Sequence, residues 1–69
     1  MFHQFLSATM GRKGLFGDKP LLIRLDCVES ITPDCSQATW LHMTSGDHHL
    51  VFANYAEVEG IVTRYMFNQ

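Results

Sequence analysis

The stretch from residue 40 to residue 52, WLHMTSGDHHLVF, constrains the fold of this chain most strongly. Strand-forming residues flank a Ser45-Gly46 pair, and glycine adopts the positive-φ conformations that tight turns require. The pattern therefore predicts a β-hairpin. With a two-residue loop, His42 pairs with His49 across the hairpin. A bulged turn is the alternative, and it would shift the register by one residue and exchange the two faces.

The two-residue loop assigns each hairpin residue to a face. One face is mainly apolar and carries Leu41, Met43, His48, Leu50 and Phe52. The other face carries Trp40, His42, Thr44, Asp47, His49 and Val51. Exposed aromatic and aliphatic side chains are typical of protein interfaces. We therefore predict that the partner-binding residues are Trp40, His42, His49 and Val51. Alternatively, the N-terminal segment covers this face, either within one chain or across a dimer.

The rest of the chain predicts a small α+β domain. Residues 21–26 alternate like a half-buried strand, and residues 27–32 continue it after a bulge or bend. Turns are expected at residues 17–20 and 33–34, and Ser36-Gln37 extend the second turn into a short polar loop. Residues 1–10 fit either a helix or a strand.

The last element is predicted to be a helix. Asn54, followed three residues later by Glu57, is typical of a helix start. An apolar stripe at helical spacing follows, made of Val58, Ile61, Val62 and Tyr65. The chain is thus interpreted as one domain over residues 1–69. It comprises an N-terminal segment whose structure the sequence leaves undetermined (1–20), an antiparallel sheet of three to four strands (21–53) and a C-terminal helix (54–67) packed on one face of the sheet.

Length and composition narrow the classes of function. A domain of 69 residues supports only a marginal core, which favours a homo-oligomer. The sequence contains neither a secretory signal nor an apolar run of about 20 residues, so we expect a cytoplasmic protein with no membrane segment and with free thiols at Cys27 and Cys35. The net charge of −2 argues against nucleic acid as a partner, because nucleic-acid-binding domains are usually basic.

Two small groups of residues are candidates for ligand binding. In the two-residue register, His42, Asp47 and His49 share a face, and imidazole with carboxylate suits zinc. Their spacing matches no metal motif, so a solvated strand face is the favoured interpretation. Arg12 and Lys13 lie in a glycine-bounded loop that offers two charges to an anion, although a solvated connector is favoured there too. No catalytic residues and no cofactor are predicted.

The chain between Leu22 and Val62 resembles the short flagellar FlbD family and similar small phage-encoded proteins. The matching residues are Val28-Glu29-Ser30-Ile31, Pro33-Asp34, the stretch from Leu41 to Gly46, and Tyr55-Ala56-Glu57-Val58. They cover a little over half of the chain and are turn and packing positions. The resemblance implies a β-β-β-α order and transfers no catalytic or ligand residue.

Together these features favour a non-enzymatic interaction protein that docks on a larger protein. Its concrete form is a regulator or inhibitor encoded by a phage or mobile element. The alternative is a small-ligand or metal-binding module with its site at a subunit interface. Strand addition at an exposed sheet edge is a second possible binding mode.

Overall fold

A computed structural model of the chain describes residues 1–67. Its elements are β1 (Phe2–Gly11), β2 (Gly14–Arg24), a 3₁₀ turn (Leu25–Cys27), β3 (Val28–Cys35), β4 (Ala38–Met43), β5 (His48–Val51) and α1 (Tyr55–Phe67). The strands form one antiparallel sheet in the order β2-β1-β5-β4-β3. The α+β class is confirmed. The predicted three to four strands are corrected to five. The N-terminal segment, whose structure the sequence left undetermined, forms β1 and much of β2.

The first two strands form a long hairpin. Arg12 and Lys13 make its two-residue turn, and Gly14 leaves the turn at φ +117°. The predicted turn at residues 17–20 is wrong, because β2 runs through it. Ala8 pairs with Gly17 and Leu6 with Pro20, so two residues of β2 oppose one residue of β1. A bulge therefore absorbs the Gly-Asp-Lys-Pro sequence without reversing the chain.

Strand β3 lies at one edge of the sheet and contains the second predicted turn. Pro33 pairs with Thr39, and the chain reverses only at residues 36–37. An edge strand tolerates proline because its outward side has no ladder partner to lose. The turn predicted from Pro33-Asp34 onwards is therefore wrong at its start, because only its extension at Ser36-Gln37 reverses the chain. The bend predicted near Cys27 is present as the 3₁₀ turn Leu25–Cys27.

The hairpin of β4 and β5 closes through a three-residue loop. Met43 N–H donates to the Asp47 carbonyl at 2.9 Å, and Gly46 N–H donates to the Met43 carbonyl at 3.0 Å. Gly46 has φ +95°, whereas no non-glycine residue in the described chain has a positive φ. A two-residue type I′ turn needs positive φ at both positions, so the chain forms a bulged turn with glycine last. His42 consequently pairs with His48, and the two-residue register is wrong.

The core lies between one face of the sheet and α1. Its buried apolar residues are Phe5, Ile23, Leu25, Leu41, Val51, Ala53 and Val58. The predicted helix stripe is confirmed, because Ile61, Val62 and Tyr65 pack against this cluster beside Val58. Buried Thr39 donates its hydroxyl to the Ala53 carbonyl at 2.8 Å, so β4 holds the segment that leads into the helix.

An ion pair closes the corner where β2 ends. Arg24 donates from Nε to Asp26 Oδ1 at 3.0 Å and from Nη2 to Asp26 Oδ2 at 2.8 Å. These hydrogen bonds lower the pKa of Asp26 below its ordinary value. The Arg24 side chain is largely solvated and the Asp26 side chain partly so, and solvated ion pairs contribute little stability. Nearby, Leu25 N–H donates to the Met1 carbonyl at 2.9 Å, which ties the start of the chain to this corner.

The register of the hairpin predicts the stability of a core variant. Val51 is 0% exposed. Val51→Ala should lower the free energy of unfolding by roughly 2–3 kcal/mol, since it removes buried methyl groups and leaves a cavity. Met66→Ala is the control, because Met66 is 67% exposed; its effect should stay within about 0.5 kcal/mol. Urea denaturation measures both. Equal, small losses would mean that Val51 faces solvent.

The helix cap gives a second prediction. Asn54 Oδ1 accepts a hydrogen bond from Glu57 N–H at 2.8 Å, which confirms the predicted helix start. Asn54→Ala should cost about 1 kcal/mol because that N–H loses its side-chain acceptor. Asn54→Asp should retain stability, because the carboxylate caps equally well and favours the positive end of the helix dipole. Thermal denaturation of both variants measures the difference, and indistinguishable melting of Asn54→Ala and the wild type would contradict the role of the cap.

Candidate binding surface

The face of the sheet opposite the core is the candidate site, and we call it the outer face. Strand alternation places on it side chains from all five strands: Phe2 and Leu6 of β1, Leu22 of β2, Thr32 and Asp34 of β3, Trp40 and His42 of β4, and His48 and Leu50 of β5. The assignment follows from the pairing of Ser7 with Val51, because Val51 points into the core and the flanking residues point away from it.

The β1–β2 half of the outer face exposes three large apolar side chains, with Gln4 beside Leu22 and Arg24 beside Phe2. Leu22 is 62% exposed, Phe2 59% and Leu6 43%. Gly17 allows the close packing here, because a Cβ on it would lie 2.8 Å from Leu6 Cδ1 and 3.1 Å from Phe52 Cδ2. Phe52 thus reaches across from the end of β5 and joins the two halves of the surface.

The β3–β5 half of the outer face carries polar and aromatic groups in a hydrogen-bonded row. Thr32 Oγ1 lies 2.8 Å from His42 Nε2, and His42 Nδ1 lies 3.3 Å from His48 Nδ1. Trp40 Nε1 donates to Asp34 Oδ1 at 3.3 Å. The imidazole rings of His42 and His48 meet edge to face, with centroids 5.2 Å apart. Neighbouring strands therefore hold these side chains in one arrangement.

The two facing Nδ1 atoms permit a limited set of tautomers. One Nδ1–H can donate to the lone pair of the other ring, whereas two N–H groups at this distance would repel each other. Thr32 can either donate to His42 Nε2 or accept from it, depending on the tautomer of His42. When His42 donates Nε2–H to Thr32, its Nδ1 lone pair points towards His48.

The predicted partner-binding residues divide between the two faces. Trp40 and His42 lie on the outer face, with Trp40 partly exposed. Val51 is fully buried in the core, so its side chain is not on the surface. His49 pairs with Leu41 and lies half-buried on the core side. The grouping of Val51 and His49 with Trp40 is corrected, because the three-residue loop moves the register by one position.

The three residues predicted to bind a metal ion, His42, Asp47 and His49, are also separated from one another. His42 and His49 point to opposite faces, and Asp47 lies in the turn, where its Oδ2 accepts from Ser45 Oγ at 3.1 Å. Within residues 1–67, no group of three or more histidine, cysteine or acidic side chains is close enough to surround a metal ion. The structure instead brings together His42 and His48, a pair that the alternative bulged register implies.

The remaining candidates lie away from this row. Arg12 and Lys13 are exposed at the tip of the β1–β2 hairpin. Cys27 and Cys35 are free thiols at the two ends of the β3 region, with Cys35 exposed. A shallow groove lies elsewhere, between α1 and the start of the sheet; it is lined by Met1, His3, Leu25, Ile61, Arg64 and Tyr65.

The N-terminal segment forms part of the sheet and does not cover the Trp40 face, contrary to the alternative expectation. In the fold, β1 lies beside β5 in the same sheet, so Phe2 and Leu6 extend that face while Phe5 enters the core. The alternation of residues 2–10 was the available signal, but it could not be separated from helical spacing.

Both edges of the sheet carry features that oppose strand addition. The edge strand β2 contains Asp18, Lys19 and Pro20, and the edge strand β3 contains Glu29 and Pro33. Charges and proline on an edge strand discourage pairing with another chain. The outer face is therefore the better candidate for contact than either edge.

No helix within residues 1–67 is long and apolar enough to cross a membrane. No protein-family model matches the sequence, and no curated protein or solved structure is significantly similar to it.

Proposed function

We propose that this protein is a non-enzymatic interaction protein that self-associates and docks on a larger protein through the outer face of its sheet. The observation that carries the proposal is the composition of that face. A helix of thirteen residues packs on the core side, while Phe2, Leu6 and Leu22 stay exposed on the other. Exposed apolar side chains that cluster on one face are typical of contact surfaces, whereas single exposed apolar residues occur on most proteins.

The two halves of the outer face suit two parts of an interface. The exposed apolar side chains of the β1–β2 half, with Leu22 on the edge strand, supply the area that a second copy of the chain buries. The β3–β5 half offers Trp40 with hydrogen-bonding groups around it, and tryptophan is enriched among residues that dominate binding energy. In its concrete form the protein is a small cytoplasmic regulator or inhibitor of a larger protein, as the resemblance to phage-encoded proteins suggests.

The self-association is tested by light scattering after size exclusion, across a dilution series. We expect a dimer or larger for the wild type and a monomer for Leu22→Glu, because a carboxylate in a buried apolar contact loses its hydration. Met66→Glu is the matched control, since Met66 is exposed to 67% but lies near the end of α1, away from the outer face. A wild type that remains monomeric at all concentrations, or equal association of Leu22→Glu, would contradict the proposed self-association.

Docking on a larger protein is tested with a Trp40 variant. Trp40→Ala should weaken binding to a partner isolated with the wild type by at least about tenfold, which corresponds to roughly 1.4 kcal/mol. Met66→Glu again serves as the control, and far-UV circular dichroism checks that each variant is folded. Unchanged affinity of folded Trp40→Ala would remove the β3–β5 half from the binding surface.

A further inference from the structure

We propose that His42 and His48 form a two-histidine chelating site for one divalent transition-metal ion of the zinc type. The site lies on the outer face, at paired positions of β4 and β5, and both histidines bind through Nδ1. It does not depend on self-association, because both ligands belong to one chain.

The separation of the two nitrogen atoms supports the site. Zinc–imidazole bonds are about 2.0–2.1 Å long, and two ligands at a tetrahedral angle then lie about 3.3–3.4 Å apart. His42 Nδ1 and His48 Nδ1 are 3.3 Å apart. The two rings already have the spacing of one edge of a coordination tetrahedron. A metal ion would take the place of the proton between the two Nδ1 atoms, and His48 would then carry that proton on Nε2 instead of Nδ1.

Thr32 gives the second line of support. Metal-binding histidines usually donate their other ring N–H to an acceptor, which fixes the tautomer and the orientation of the ring. Thr32 Oγ1 is 2.8 Å from His42 Nε2 and can accept that N–H. This contact leaves the Nδ1 lone pair of His42 free and directed towards His48. Thr32 is therefore a positioning residue for the site.

The donor set indicates which ions bind. Neutral imidazole suits zinc, nickel and copper, whereas magnesium and calcium prefer oxygen ligands. Two protein ligands leave two tetrahedral positions, which water fills in the isolated chain. Open positions are typical of metal sites that exchange ligands, and a donor from a docked protein can enter here.

The test is calorimetric titration of untagged protein with Zn²⁺, Ni²⁺ and, separately, Mg²⁺. We expect saturable binding of Zn²⁺ and Ni²⁺ and none of Mg²⁺. His48→Ala should weaken Zn²⁺ binding by more than tenfold, and Thr32→Val should weaken it by on the order of tenfold, as the loss of such a supporting contact does elsewhere. His48 is exposed, so its replacement leaves the core intact.

His49→Gln is the matched control, because His49 is adjacent in sequence but points to the opposite face. It should retain wild-type affinity. Long-range proton–nitrogen spectra add a readout on the ligating atoms: Zn²⁺ should shift Nδ1 of His42 and His48 and leave His49 unchanged. Absence of saturable Zn²⁺ binding by the folded wild type would overturn the proposal, as would equal affinity in folded His48→Ala. Neither result would affect the light-scattering test of self-association.

Discussion

A short antiparallel pairing joins the β1–β2 hairpin to the β3–β4–β5 unit, and the single sheet depends on it. Ser7 pairs with Val51, and Phe52 N–H donates to the Leu6 carbonyl at 2.7 Å. The junction is short, yet it lies beside the best-buried part of the chain, with Val51 in the core. Tertiary packing of α1 over that core therefore stabilises a pairing that so few backbone hydrogen bonds would hold weakly on their own.

The junction also explains why the sheet has one covered and one open face. One helix of thirteen residues covers only one side of a five-stranded sheet. Because β1 continues the sheet instead of crossing it, its alternate residues add to both sides: Phe5 joins the core, and Phe2 and Leu6 extend the outer face. The surface proposed for binding is thus a consequence of how a small chain closes a single core.

The three-residue loop of the β4–β5 hairpin decides which histidines meet. In a strand the side chains alternate, so moving the register by one residue replaces His49 by His48 opposite His42. The same shift moves Val51 from the surface into the core and Leu50 in the other direction. Gly46 adopts a positive φ and Ser45 does not, which selects the three-residue loop. The binding surface and the proposed chelating site both depend on the register that this loop sets.

The sequence by itself determined the features that depend on local periodicity and local chemistry. These are the β4–β5 hairpin, the Asn54 cap, the helix stripe from Val58 to Tyr65 and the α+β class. Tertiary structure decided the strand character of residues 2–10, the passage of β2 through Gly17 and Pro20, and the face on which Val51 and His49 lie. Those features depend on which partner strand satisfies each backbone group and on which face α1 buries. Local sequence determines neither the partner strand nor the buried face. Alternation shows that a strand has two different faces, but tertiary packing decides which face becomes the core.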